Sequence, residues 1–426
     1  MKEDSTLSTI ILKGNIIHTP TKDQFECTPG GYVVSVDNEV KGVFAQLPPE
    51  YASCPVMDYG DCLIIPGLCD MHVHAPQFVY RGLGLDLQLM DWLDRYAFPT
   101  EARFQDPAYA RIYYEAFADA LVKNGTTRAV IFGTIHVPAT EILMEVLEAK
   151  RIGAYVGKIN MDTLSPDYLC ETPAQSLADT ERWIVDTKER FRLVKPAITP
   201  RFIPTCSTEV LDGLGKLAQK YQLPVHSHLS EDLGEMAVVR ERYPQFDNDG
   251  DVYDHFGLFT DHTVMAHFVY PTDHELELTR DRGVTIAHCP QSNGNVAAGM
   301  PPIRRMLDMG IRVGLGSDIA GGYSVCILRA MADAVYLSKL KWLESQKTDA
   351  FLTIPEVFFL GTKGGGQFFG KVGSFEKGYE FDALVIDDAS LNTPADRLSL
   401  EERMERVIHL ADDRNFVARY VAGEKA

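Results

Sequence analysis

"PGLCDMHVHAPQFVYRG", residues Pro66 to Gly82, sets two histidines one residue apart at the end of an apolar run. Side chains in an extended strand alternate between faces, so His72 and His74 point the same way. Two imidazoles on one face suit a metal ion, and the fold is decided by whether the same pattern returns further along the chain.

It does. Runs of strand character lie at 61–74, 127–135, 154–162, 194–202, 223–230, 263–268, 284–290 and 312–318. Segments of helical spacing separate them. "DPAYARIYYEAFADALVKNG" has Asp106 as its expected N-cap and Gly125 past its end, and "TEILMEVLEAKRIG" follows. Eight strands alternating with helices over roughly 300 residues predict an α/β protein built on a (β/α)8 barrel. "STIILKGNIIHTP" and "GYVVSVDNEVKGVFA" near the start, with "FEKGYEFDALVIDD" and "NFVARYVAGEKA" near the end, predict a small β domain made by both chain ends.

The 426 residues are 45% hydrophobic and 24% charged, as in a globular protein that buries a large core. With 41 Lys+Arg against 60 Asp+Glu, the formal charge is -19. That balance argues against binding nucleic acid or an anionic membrane and favours small-molecule chemistry. The opening "MKEDSTLSTIILKGN" has no apolar core after a basic segment, which predicts a cytoplasmic protein. Eight cysteines scattered without a CxxC predict buried reduced thiols and neither a thiolate zinc cage nor a disulfide framework.

In such a barrel the reactive groups stand at the C-terminal ends of the strands. Those positions carry His72 and His74 on the first strand, His226 and His228 on the fifth, His267 on the sixth, His288 on the seventh and Asp318 on the eighth. A divalent ion held by three imidazoles and a carboxylate, with one position left for water, is a hydrolytic site. Glu231, three residues beyond His228 in "HLSE", supplies a general acid.

"PGLCDMHVHAP", "HSHLSE", "VMAHF", "IAHCPQSN" and "GLGSD" together resemble the amidohydrolase superfamily in its mononuclear deaminase branch. "HAPQFVYRGLGLDLQLMDWLDRYAFPTEARF", "TPRF" and "GSDIAGGYS" are similar to the members of that branch that act on guanine. The resemblance covers nearly the whole chain. It implies a barrel over 66–370 beside a β-sandwich split between 1–65 and 371–426, and hydrolytic deamination of guanine to xanthine and ammonia. The metal ligands it implies are His72, His74, His228 and Asp318, around one divalent ion per chain, zinc or iron. Glu231 becomes the proton shuttle to ring N3, Asp318 accepts the attacking water's proton, and His267 orients that water as a hydrogen-bond donor. Gln77, Arg201 and Phe202 fall where the base is held; a planar guanidinium at Arg201 matches the adjacent O6 and N7 acceptors of guanine. The family further implies a homodimer.

Two residues depart from the family pattern, and a third is weighed beside them. His226 stands where a non-histidine is expected, Gln291 where Asn or Thr is usual, and Lys158 raises the carbamylated lysine of binuclear relatives, although it falls on the third strand and not the fourth. Two competing readings share the scaffold. One is a hydrolase for another purine, a pyrimidine or an s-triazine, which would keep the ligands without the Gln77 and Arg201 pair. The other is a relative that has lost its metal, which the intact ligand set opposes. The H-x-E with P-C-x-x-C signature of nucleic-acid-editing zinc deaminases does not occur.

Overall fold

The computed structural model describes residues 8–87, 89–393 and 395–426. The first seven residues of the opening stretch, and Gln88 within the long motif quoted above, lie outside the described residues. Eight parallel strands form one sheet in chain order: β5 (Leu68–His74), β6 (Thr126–Phe132), β7 (Gly153–Asn160), β8 (Val194–Pro200), β9 (Val225–Leu229), β10 (Thr263–His267), β11 (Thr285–His288) and β12 (Arg312–Leu315). Every residue of β5, β6, β9, β10 and β11 is buried, as expected of parallel strands covered on both faces. The seam between first and last strands closes just beyond β12. Asp318 N donates to His72 O at 2.8 Å, and His74 N donates to Ile319 O at 3.2 Å. The result is a (β/α)8 barrel, with the chain just past β12 laid against the strand that carries the histidine pair.

The helices around it begin and end for local reasons. In Pro107–Lys123, the Asp106 side chain accepts from Ala108 N at 2.9 Å, proline opens the first turn, and Gly125 beyond the end has φ +78°. Thr208–Tyr221 is capped by Ser207, whose side chain accepts from Val210 N, and buries Val210, Leu211, Leu214 and Leu217 on one face.

Both chain ends meet in a second, seven-stranded sheet. Its strands are β1 (Thr9–Thr21), β2 (Gln24–Val36), β3 (Glu39–Phe44), β4 (Met57–Pro66), β13 (Ala383–Ile386), β14 (Phe416–Val421) and β15 (Glu424–Lys425), in the order β15-β14-β13-β4-β1-β2-β3. β4 from the N-terminal half pairs with β13 from the C-terminal half, Ile64 opposite Val385. Leu12, Ile16, Val33, Ile64, Phe381 and Tyr420 share its core.

The single strand expected over 61–74 is two strands in different sheets: β4 ends at Pro66 and β5 begins at Leu68. Gly67 makes the passage because a side chain there would overlap Thr127 and meet Asp382 Cβ at 2.9 Å. No helix among the described residues is long and apolar enough to cross a membrane.

Candidate active site

The ends of β5 and β9 and the turn after β12 deliver their side chains to one point. His74 Nε2 lies 3.2 Å from His72 Nε2 and 3.2 Å from His228 Nε2. Asp318 Oδ1 lies 3.2 Å from His72 Nε2 and 3.4 Å from His74 Nε2. All four residues are buried. Nitrogen and oxygen atoms this close, facing inward from separate strands, form a donor set of the geometry a divalent ion completes.

The imidazole tautomers fit that ion. His228 Nδ1 lies 2.5 Å from the Arg201 carbonyl, so Nδ1 carries the hydrogen and Nε2 keeps its lone pair for the cluster. His72 Nδ1 lies 2.7 Å from His226 Nε2, and His72 Nε2 faces inward. Burial, then the neighbouring imidazole of His72, holds His74 and His228 well below the usual histidine range, so both are neutral. Burial by itself would raise the Asp318 carboxyl, but the imidazoles of His72, His267 and His74 keep it well below its ordinary value and ionised. His226 stands behind His72, outside the groups of side chains placed to share an ion.

Glu231 turns back over the cluster from the end of β9. Burial, then the Asp318 carboxylate, pushes its carboxyl well above the usual range, the direction that favours the acid form. His267 Nε2 lies 3.4 Å from Glu231 Oε2 and 3.7 Å from Asp318 Oδ2. Its Nδ1 lies 2.9 Å from Asn293 Oδ1. A carbonyl oxygen can only accept, so the ring meets Asn293 through Nδ1 and turns Nε2 to the site. Asn293, the last residue of "IAHCPQSN", thereby fixes the orientation of the ring.

A cavity opens above the cluster. His74, His228, Glu231, His267 and Asp318 form part of its wall, and Gln77, Arg201 and Phe202 form another part. Gln77 Oε1 accepts from Ala320 N at 3.0 Å, and Gln77 Nε2 donates to Glu101 Oε1 at 3.2 Å. Arg201 Nη1 donates to Glu101 Oε2 at 2.5 Å. The Phe202 ring is half-buried, 6.3 Å from that of His228. Trp92 and Leu93, from the stretch just before Phe98, complete the apolar side of the wall.

The remaining candidates lie elsewhere. Lys158 is enclosed on β7, with Nζ 2.5 and 2.6 Å from the two carboxylate oxygens of Glu171, a pairing that occupies its amine. Gln291 accepts from Ser324 N at 3.1 Å and donates to Asp333 at 2.9 Å, and so braces the loop after β12 against the helix Ile327–Glu344. His288 is buried on β11 away from the cluster, facing a separate cavity beside Arg304. Asp70 was not singled out by its residue type, yet it accepts from Ser317 N at 2.9 Å and Ser317 Oγ at 2.5 Å, and thereby pins the turn that carries Asp318.

A parallel barrel that gathers three neutral imidazoles, an ionised aspartate and a buried glutamate beneath one cavity defines a hydrolytic enzyme with a site suited to a divalent ion. The model of the amidohydrolase family matches residues 63–425. Guanine deaminase of Rattus norvegicus is 39% identical over 374 residues, covering 85% of this chain and 82% of that one. Guanine deaminase of Dictyostelium discoideum is 34% identical over 442 residues, 97% of each chain. The crystal structure of guanine deaminase from C. acetobutylicum, with bound guanine in the active site, superposes with a TM-score of 0.95 at 48% identity, covering 98% of this chain and 99% of that one. The chain belongs to the amidohydrolase family.

Proposed function

We infer that this chain hydrolyses guanine to xanthine and ammonia. The observation that carries the reading is the wall above the donor cluster, where a guanidinium and a carboxamide stand side by side, in a chain 48% identical to a protein solved with guanine in its active site. Arg201 offers its remaining donors to O6 and N7, and Gln77 and Phe202 hold the ring beside it. Glu231, protonated at the start, gives its hydrogen to ring N3 and removes the aromatic stabilisation that opposes addition at C2. The attacking water, oriented by His267, passes its proton to Asp318 Oδ2. Glu231, now a carboxylate, relays the proton held by Asp318 to the exocyclic amine; the C2–N bond breaks to release ammonia, and the C2 hydroxyl gives its remaining proton to Glu231 as the carbonyl of xanthine forms. Such acid and base groups contribute about 10²–10⁴-fold each.

One zinc ion per chain is the proposed occupant, held by His72, His74 and His228 through Nε2 and by Asp318 through Oδ1. The supporting feature is a donor set richer in neutral imidazole than in oxygen, which zinc favours over magnesium or calcium. Such an ion, when bound, acts as a Lewis acid and lowers the pKa of water from about 15.7 to about 7. Self-association as a homodimer is supported by Tyr336, Leu340 and Leu343, exposed at helical spacing along Ile327–Glu344.

The test is loss of guanine absorbance with ammonia release, run beside adenine, cytosine and an s-triazine, with metal analysis of the same sample. Turnover of guanine at least about a hundredfold above the others is expected, the scale on which a site built to hydrogen-bond a group rejects its analogues. Preference for any of the other three would overturn the reading.

A further inference from the structure

We propose that Glu101 makes this pocket selective for uncharged purines by cancelling the charge of Arg201 from behind the cavity wall. The proposal rests on the guanine reading above and adds a determinant of specificity to it.

Glu101 is 2% exposed and Arg201 3%. One carboxylate serves both groups that face the base: Oε2 accepts from Arg201 Nη1 at 2.5 Å, and Oε1 accepts from Gln77 Nε2 at 3.2 Å. Arg201 and Gln77 form part of the cavity wall and Glu101 does not, so the carboxylate orients the pair without meeting the substrate. Among the described residues, Arg201 is the only arginine or lysine in that wall.

A guanidinium keeps its charge at any working pH, and in a site removed from water an uncompensated one seeks an anion. Guanine is neutral and turns two acceptors, O6 and N7, to the guanidinium. The Glu101–Arg201 couple presents hydrogen-bond donors without net charge, which suits such a base and gives an anionic purine no counter-ion. The wall's own carboxylates, Glu231, Glu235 and Asp318, and its imidazoles are common to the protein and to the variants below, so comparing them isolates the couple.

Dissociation constants are measured by titration calorimetry on the full-length, metal-loaded protein at one pH near neutrality, for hypoxanthine, a neutral 6-oxopurine, and urate, an anion. In Glu101→Gln the affinity for urate relative to hypoxanthine should rise at least about tenfold, the scale of one charge-assisted hydrogen bond. Arg201→Gln leaves Glu101 unpaired and should move the ratio the other way; it also decides the matter if Glu101→Gln does not fold. Metal content should stay the same in both. A ratio unmoved in both variants would mean that Glu101 only braces the wall, and the proposal falls. If the unaltered protein fails to deaminate guanine, the reading beneath falls and takes the proposal with it; guanine turnover with an unmoved ratio overturns the proposal alone.

Discussion

At the residue scale, a second nitrogen decides what each histidine can do. His228 Nδ1 is committed to the Arg201 carbonyl, which leaves its inward nitrogen free, and His72 is backed by His226 through Nδ1. His228→Ala should therefore lose the metal, whereas His226→Ala should keep it with an affinity about 10–100-fold weaker, the usual cost of losing a ligand's supporting partner. Metal content after dialysis against a graded chelator reads the difference, and the reverse order would reassign the ligand. The histidines, Asp318 and Glu231 were legible because strand ends announce themselves in the local pattern. Glu101 was not, although it lies inside a quoted motif: its partner Arg201 is 100 positions away, and only the closed barrel brings them together. The roles of Asn293 and Asp70 escaped for the same reason, although both lie inside quoted motifs.

Elements were legible where periodicity changed and obscure where it did not. The strands of the barrel and the helix after Asp106 follow from apolar runs and caps. The passage from β4 to β5 did not, since 61–74 is one apolar run and the switch of sheets is imposed by crowding at Gly67. A buried acid illustrates what an element can store. Glu275, on the helix Asp273–Arg282, accepts from Gly250 N at 2.9 Å and Ser230 Oγ at 3.3 Å, so it joins that helix to the loop before Glu231. Burial pushes its carboxyl up from 4.5 to about 8. The native protein therefore holds a proton that the unfolded chain releases. Its contribution to stability is complete below pH 4.5 and is lost as pH rises through about 8. In Glu275→Gln the fall in unfolding free energy across that window should be shallower, measured by urea unfolding at several pH values. An unchanged slope would show that other groups govern it.

At the scale of the whole molecule, the barrel and the two-ended sheet are tied by Arg128 of β6. Its Nε and Nη2 donate to the two oxygens of Asp382 at 2.6 and 2.9 Å, and Nη2 donates to Glu380 at 2.8 Å. Arg128→Met strands a buried carboxylate and should cost about 3–5 kcal/mol in unfolding free energy while leaving metal content unchanged. A loss under about 1 kcal/mol would mean the sheet docks through its apolar contacts alone. The central claim is that this scaffold holds one ion and uses Glu231, separately, to move protons. The most direct measurement is ammonia release from guanine by the protein and by Glu231→Gln, with metal counted on the same samples. The account predicts about one ion per chain in both and activity lower by at least about a hundredfold in the variant. Full activity in Glu231→Gln, or loss of the ion with the activity, would contradict it.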